Sequence, residues 1–225
     1  VAARALELAL ASATDVLHVG ASAQHLIALG VELDAQLVVL EGDAKVRMRD
    51  GVALSVDVYR PAQHGVALPG RFPVLLERTP YGKRRVVLNQ AGEFFAPRGY
   101  VVIMQDVRGR FASDGEFYTF RHEPDDGYDT IAWAAAQPWS AGTVGMFGLS
   151  YVGATQWLAA ITTPPALRTM VPVVTASDYH EGWAYQGGAF ELGFNASWTL
   201  SNLAFANLVR QMKAGQDFPA GFRGQ

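Results

Sequence analysis

Four short apolar runs constrain this chain more than any other feature. They are residues 72–77 (FPVLLE), 100–105 (YVVIMQ), 143–147 (TVGMF) and 170–174 (MVPVV). A strand with one wet face alternates apolar and polar residues, whereas a nearly continuous run suits a strand covered on both faces, as in a parallel sheet. Parallel neighbours need a crossover of about a dozen residues, usually a helix. Helix-like stretches of that size lie between the runs, over residues 87–97, 125–137 and 151–162. The second carries Asp125, Asp126 and Asp129 near its start, where negative charge favours a helix N-terminus. The pattern predicts an α/β fold with a mostly parallel sheet.

An antiparallel hairpin is expected ahead of that sheet. Residues 37–40 are apolar, and residues 45–49 alternate Lys, Val, Arg, Met, Arg. Asp50-Gly51 is a hairpin turn signal. Val52, Leu54, Val56 and Val58 then share one face, and Pro61 should end the strand. Residues 1–36 are alanine-rich and carry no nameable chemistry. Stretches 2–13 and 21–29 suit short helices, and the segment lacks the form of a signal peptide. The chain begins at Val1 and its first methionine is Met48, so the N-terminus reads as incomplete or processed. After residue 174 the sheet pattern stops. Residues 178–210 are rich in aromatic side chains, and Leu200, Leu203, Ala204 and Leu208 have helical spacing. The expected organisation is an extension over 1–36, an α/β core over 37–177 and the start of a helical cap over 178–225.

Composition narrows the function. With 225 residues, 50% of them hydrophobic and 17% charged, the chain can bury a sizeable core. A net charge of −3 gives no basic surplus to neutralise a phosphate backbone, so nucleic acid is not an expected partner. The absence of cysteine excludes disulfides, a thiolate nucleophile and a thiolate metal site. No apolar run approaches the roughly 20 residues of a membrane span, and residues 72–82 hold no glycine fingerprint for a dinucleotide. No metal or cofactor is expected. The compartment is open, with the cytoplasm favoured, and so is the oligomeric state.

The chemistry concentrates in Gly148-Leu-Ser150-Tyr151-Val-Gly153. A buried strand runs into it and a helix of small residues leaves it, the context of a nucleophile elbow. There a serine on a strained strand-to-helix turn presents its hydroxyl at the carboxyl end of the sheet. The following helix aims free N–H groups at developing negative charge. The generic pattern is Gly-x-Ser-x-Gly, however, and here Val152 holds the second glycine's place. By that pattern alone Ser150 reads equally as a nucleophile or as a serine capping a helix. Tyr81, taken alone, reads as a turn tyrosine packed under a loop.

The same residues resemble the Gly-x-Ser-Tyr-x-Gly elbow of the X-Pro dipeptidyl-peptidase and cocaine esterase-like hydrolases. Other landmarks are similar in order: residues 48–54 to the opening hairpin, Arg78-Thr-Pro80-Tyr81-Gly-Lys83 to the Pro-Tyr loop, residues 105–117 to the Asp-x-Arg-Gly segment, and residues 139–150 to the run into the elbow. The likeness covers roughly residues 37–200. It implies an α/β-hydrolase fold with a helical cap and acyl transfer through a serine. It also implies an oxyanion hole made by the Tyr81 hydroxyl and the Tyr151 backbone N–H, with Gly148 and Gly153 shaping the elbow. Asp106 and Arg108 are read as a loop-anchoring network beside the site, and Glu116, Asp125 and Asp126 as solvated.

Histidine decides the rest. A triad in this fold runs Ser, then acid, then His along the chain. Of His18, His25, His64, His122 and His180, only His180 follows Ser150, with Asp178 the one acid just before it. The resemblance puts the acid and base well beyond the cap, and the chain ends 75 residues after Ser150. The triad Asp and His are therefore not expected in this chain. Three readings compete: a serine hydrolase of small esters, amides or acyl groups; an X-Pro dipeptidyl aminopeptidase, with Glu181 or Glu191 as amine anchors; and a non-catalytic binding module on the same scaffold.

Overall fold

A computed structural model describes residues 37–84, 86–204 and 207–208. The short helices expected over 2–13 and 21–29 lie outside them. Two antiparallel strands open the fold, β1 (Val38–Arg47) and β2 (Ala53–Gln63), paired from Arg47↔Ala53 to Val38↔Pro61. The Asp-Gly turn is where the hairpin reverses, with Gly51 at φ 89°. Pro61 does not end β2, in contrast to expectation. The strand runs on to Gln63 and pairs there with β3 (Val66–Ala67), while the Pro61 carbonyl accepts from Leu68 N at 2.8 Å. Proline lacks only the donor, so it is tolerated where the ladder needs its acceptor alone.

The four apolar runs become β4 (Phe72–Thr79), β5 (Val101–Asp106), β6 (Ser140–Leu149) and β7 (Leu167–Val173). Between them stand α1 (Val86–Phe95) with a 3₁₀ turn (Ala96–Arg98), α2 (Glu123–Ala136) and α3 (Tyr151–Ala160). The sheet order is β1-β2-β5-β4-β6-β7, with β3 on β2. The pairs β4–β5, β4–β6 and β6–β7 are parallel, and β2–β5 is antiparallel.

All six residues of β5 are buried, which is why its run is continuous. Val101 and Ile103 pack with Leu54, Leu76, Met146, Ile131 and Ala159 under α2 and α3. Val102 and Met104 pack with Tyr59, Leu75, Phe95 and Phe147 under α1. Helices thus cover both faces, and each fully buried aliphatic side chain contributes about 1.5–3 kcal/mol.

Because β4 to β7 are parallel, their carboxyl ends share one sheet edge, with Thr79 level with Asp106 and Leu149 level with Val173. The loops carrying Tyr81, Arg108 and Ser150 all leave from that edge, where ligands bind in open α/β sheets. Beyond it the chain does not enter a helix at once, as the sequence suggested. A small hairpin comes first, β8 (Tyr185–Gln186) and β9 (Ala189–Phe190), turned by Gly187 and Gly188 at φ 57° and 81°. Then follow α4 (Leu192–Trp198) and a π-helical turn over Thr199–Ala204. Among the described residues no helix is long and apolar enough to cross a membrane.

Candidate active site

Ser150 sits between the end of β6 and the first residue of α3 with φ 59° and ψ −125°. A side-chain-bearing residue there is strained by about 1–3 kcal/mol and persists only when its surroundings impose it. They do: Ser150 N donates to Val173 O at 2.9 Å, and Ser150 O accepts from Ala154 N at 3.0 Å. Gly148 lies at φ 132°, and a Cβ on it would overlap Val152. A Cβ on Gly153 would lie 2.7 Å from Thr175 Cγ2, beyond β7. That contact explains the displaced glycine. The helix meets the segment that leaves β7 at position 153, and Val152 instead fills the space that Gly148 leaves.

Tyr151 opens α3, so its backbone N–H is one of the donors a helix leaves without an internal partner. Its side chain is fully buried and fastened at the far end. The hydroxyl donates to Glu123 Oε1 at 2.9 Å and accepts from Phe120 N at 3.1 Å. Behind it, Arg78 Nη1 lies 2.8 Å from Glu123 Oε2. Arg78 Nη1 also donates to the Glu123 carbonyl at 3.1 Å, and Nε to Gln105 Oε1 at 2.7 Å. Burial pushes the Glu123 carboxyl up while the Arg78 guanidinium holds it down, and burial also raises the Tyr151 hydroxyl. This chain from β4 through α2 fixes the residue that follows Ser150.

The Tyr81 loop is held as firmly. Tyr81 N donates to Thr79 Oγ1 at 3.1 Å, and Lys83 N to Asp106 Oδ1 at 2.7 Å. Lys83 Nζ sits among Asp43 (2.7 Å), Asp106 (3.3 Å) and Asp57 (3.6 Å). Hydrogen bonding from Lys83 lowers the Asp43 carboxyl to about 2, whereas burial raises Asp106 despite that lysine. The Tyr81 ring meets the Tyr151 ring edge-on at 6.4 Å. Asp106 and Arg108 therefore both anchor loops, but through separate networks: Arg108 contacts Asp50 and Asp126, each at 2.6 Å. Asp126 is consequently 1% exposed, not solvated as expected. Asp125, paired with Arg49, and Glu116 are exposed.

The Tyr81 ring lies against that of Tyr151, the residue that follows Ser150, and among the described residues no histidine is bonded to any of the three. His180 is exposed and stacked on Tyr185 at 4.5 Å. Asp178 accepts from the backbone N–H groups of His180 and Glu181, closing a local turn. His122 precedes α2 and His64 lies in the β2–β3 turn, while His18 and His25 fall outside the described residues. Among the described residues no histidine is hydrogen-bonded to Ser150.

Asp57, Glu123 and Glu77 are buried acids that escaped the sequence reading, and the last of them stands apart. Glu77 ends the first apolar run, is 3% exposed, and has Oε1 without a hydrogen-bond partner. Its Cγ lies 3.7 Å from where a Cβ on Gly148 would stand, beneath the elbow. Desolvation pushes its carboxyl from 4.5 up to about 8. Between those values the folded chain holds a proton that the unfolded chain has released, so stability falls as pH rises through this window and levels off above it. Glu77→Gln removes the titration. The variant should exceed wild type in stability at pH 8 by about 2–4 kcal/mol, with the gap closing toward pH 5. Urea midpoints across that range test this, and parallel pH profiles for the two proteins would contradict it.

Comparison with known proteins bears on this arrangement. The X-Pro dipeptidyl-peptidase (S15 family) profile matches residues 50–222. The chain is 42% identical to the cocaine esterase of Rhodococcus sp. (strain MB1 Bresler) over 159 residues, 68% of this chain and 27% of that enzyme. It is similar in structure to a CocE/NonD family hydrolase from Staphylococcus aureus, with TM-score 0.68, 29% identity, and coverage of 79% of this chain and 36% of that one. An α-amino acid ester hydrolase gives TM-score 0.61 at 27% identity, covering 76% of this chain and 31% of that one. The chain thus spans 27% of the length of the curated esterase.

Proposed function

This chain belongs to the X-Pro dipeptidyl-peptidase (S15) family and has an α/β-hydrolase fold, and from that premise we propose that it carries the nucleophile and oxyanion hole of a serine hydrolase of small esters. The observation that carries the reading is the left-handed Ser150 at the β6–α3 junction. The Ser150 Oγ attacks the substrate carbonyl as its proton passes to a base. The oxygen that becomes negative is held by the Tyr151 N–H and the Tyr81 hydroxyl. The alcohol leaves, an acyl-serine remains, and water releases the acid. The base and its acid partner lie outside the described residues, since His180 sits in the turn that Asp178 closes, stacked on Tyr185. Residues 37–177 form the catalytic core, and residues from 178 on begin a cap over it.

An ester is favoured over an X-Pro peptide by what surrounds the elbow. Phe120 stacks on Tyr151 at 4.6 Å, and Trp183, Phe194 and Trp198 extend that aromatic wall. An aminopeptidase needs a carboxylate for the substrate amine; Glu181 Oε1 accepts from Gly187 N at 2.6 Å within the hairpin, while Glu191, just before α4, makes no side-chain capping bond and is the anchor the peptidase reading would use. The family description keeps dipeptidyl-peptidase activity as the second reading. Two matched 4-nitrophenyl aminoacyl esters, one with a free and one with an acetylated α-amino group, separate the two. On the ester reading their kcat/KM values lie within about tenfold of each other. A preference of about 10²-fold or more for the free amine would favour the peptidase.

A further inference from the structure

The segment beyond β7 returns to the core and touches the Tyr81 loop at two points. Trp198, the last residue of α4, donates its indole N–H to the Tyr81 hydroxyl oxygen at 3.1 Å. Arg110, in the loop after β5 and 1% exposed, makes the second contact with one guanidinium. Its Nε donates to the Pro80 carbonyl at 2.8 Å, immediately before Tyr81. Its Nη1 donates to the Leu203 carbonyl at 2.7 Å and to Asn207 Oδ1 at 2.8 Å, and its Nη2 to the Asn202 carbonyl at 3.0 Å. Both carbonyls belong to the π-helical turn Thr199–Ala204, and Leu203 is buried. A planar fork of charged N–H groups suits them better than any other side chain. The same guanidinium lies 5.0 Å from the Phe117 ring centroid, which fixes its plane.

A phenol hydroxyl stabilises an oxyanion only when its hydrogen points at that oxygen, and the hydroxyl rotates to suit its neighbours. An N–H directed at the phenol oxygen occupies a lone pair and turns the hydrogen away from itself. We propose that Trp198 and Arg110 are positioning residues for the oxyanion hole: Arg110 sets the Tyr81 loop against the cap segment, and Trp198 orients the Tyr81 hydroxyl. The hole is then complete only when Trp198, Asn202, Leu203 and Asn207 are docked on the core. This rests on the reading of Tyr81 as an oxyanion donor.

A double-mutant cycle on the intact enzyme, read with an aryl ester, tests it. Trp198→Phe keeps an aromatic side chain but loses the N–H together with the five-membered ring, so the Tyr81→Phe background is what isolates the hydrogen bond from the lost packing. Trp198→Phe should lower kcat about tenfold with KM within about twofold. In a Tyr81→Phe background the same change should cost nothing further, because there is no hydroxyl left to orient. Arg110→Lys should behave alike, lowering kcat only where the hydroxyl is present. Equal kcat losses in both backgrounds, or an effect on KM alone, would overturn the proposal while leaving Tyr81 its role. If Tyr81→Phe itself leaves kcat unchanged, the oxyanion reading fails and the proposal falls with it.

Discussion

Ser150→Ala should reduce turnover of an activated ester by about 10⁴–10⁶, leaving at most the residual rate that binding and the oxyanion hole supply. The fold should be unaffected. Alanine keeps the Cβ that the φ of 59° already accommodates, and the hydroxyl makes no capping hydrogen bond to α3. Ser150→Gly sharpens the point, because glycine enters the left-handed region at no steric cost. It should be as inactive as Ser150→Ala yet more stable by about 1 kcal/mol. Inactivity with gained stability identifies a position strained for chemistry. Activity within tenfold of wild type in either variant would remove Ser150 from the mechanism.

Tyr81→Phe should lower kcat by about 10²–10³ with little change in KM, the usual cost of one lost oxyanion donor. The ring contact with Tyr151 at 6.4 Å and the loop bonds through Thr79 and Asp106 do not involve the hydroxyl, so the loop should stay in place although the Trp198 N–H loses its acceptor. A hydroxyl that acts only when charge develops contributes to the transition state and not to ground-state binding. A rise in KM with kcat intact would instead make Tyr81 a contact for the substrate.

Most of the scaffold was readable because its signals are local. Asp50-Gly51 marks its own turn, and the runs that become β4 to β7 show two-sided burial in their composition. The strained serine was readable for the same reason, since strand, turn and helix adjoin in one short stretch. Gly187-Gly188 was equally local evidence for the β8–β9 hairpin, but the aromatic residues around it drew the reading toward a helix. What lay hidden was buried charge. Arg78 meets Glu123 and Lys83 meets Asp43 across 45 and 40 residues of sequence, and Asp126 is buried only because Arg108 reaches it. Whether a charged residue is solvated or buried depends on a partner that the fold alone delivers. Glu77 and the Trp198–Tyr81 bond belong to the same class, since neither residue carries a mark of its neighbour.

The central claim is that Ser150 forms the covalent intermediate. It is tested most directly by treating the intact enzyme with a fluorophosphonate, which bonds its phosphorus to an activated serine oxygen as fluoride leaves. Peptide mass spectrometry then locates the adduct. One adduct is expected, on Ser150, appearing in step with loss of esterase activity and absent from Ser150→Ala. An adduct on another residue, or inactivation with Ser150 unmodified, would contradict it.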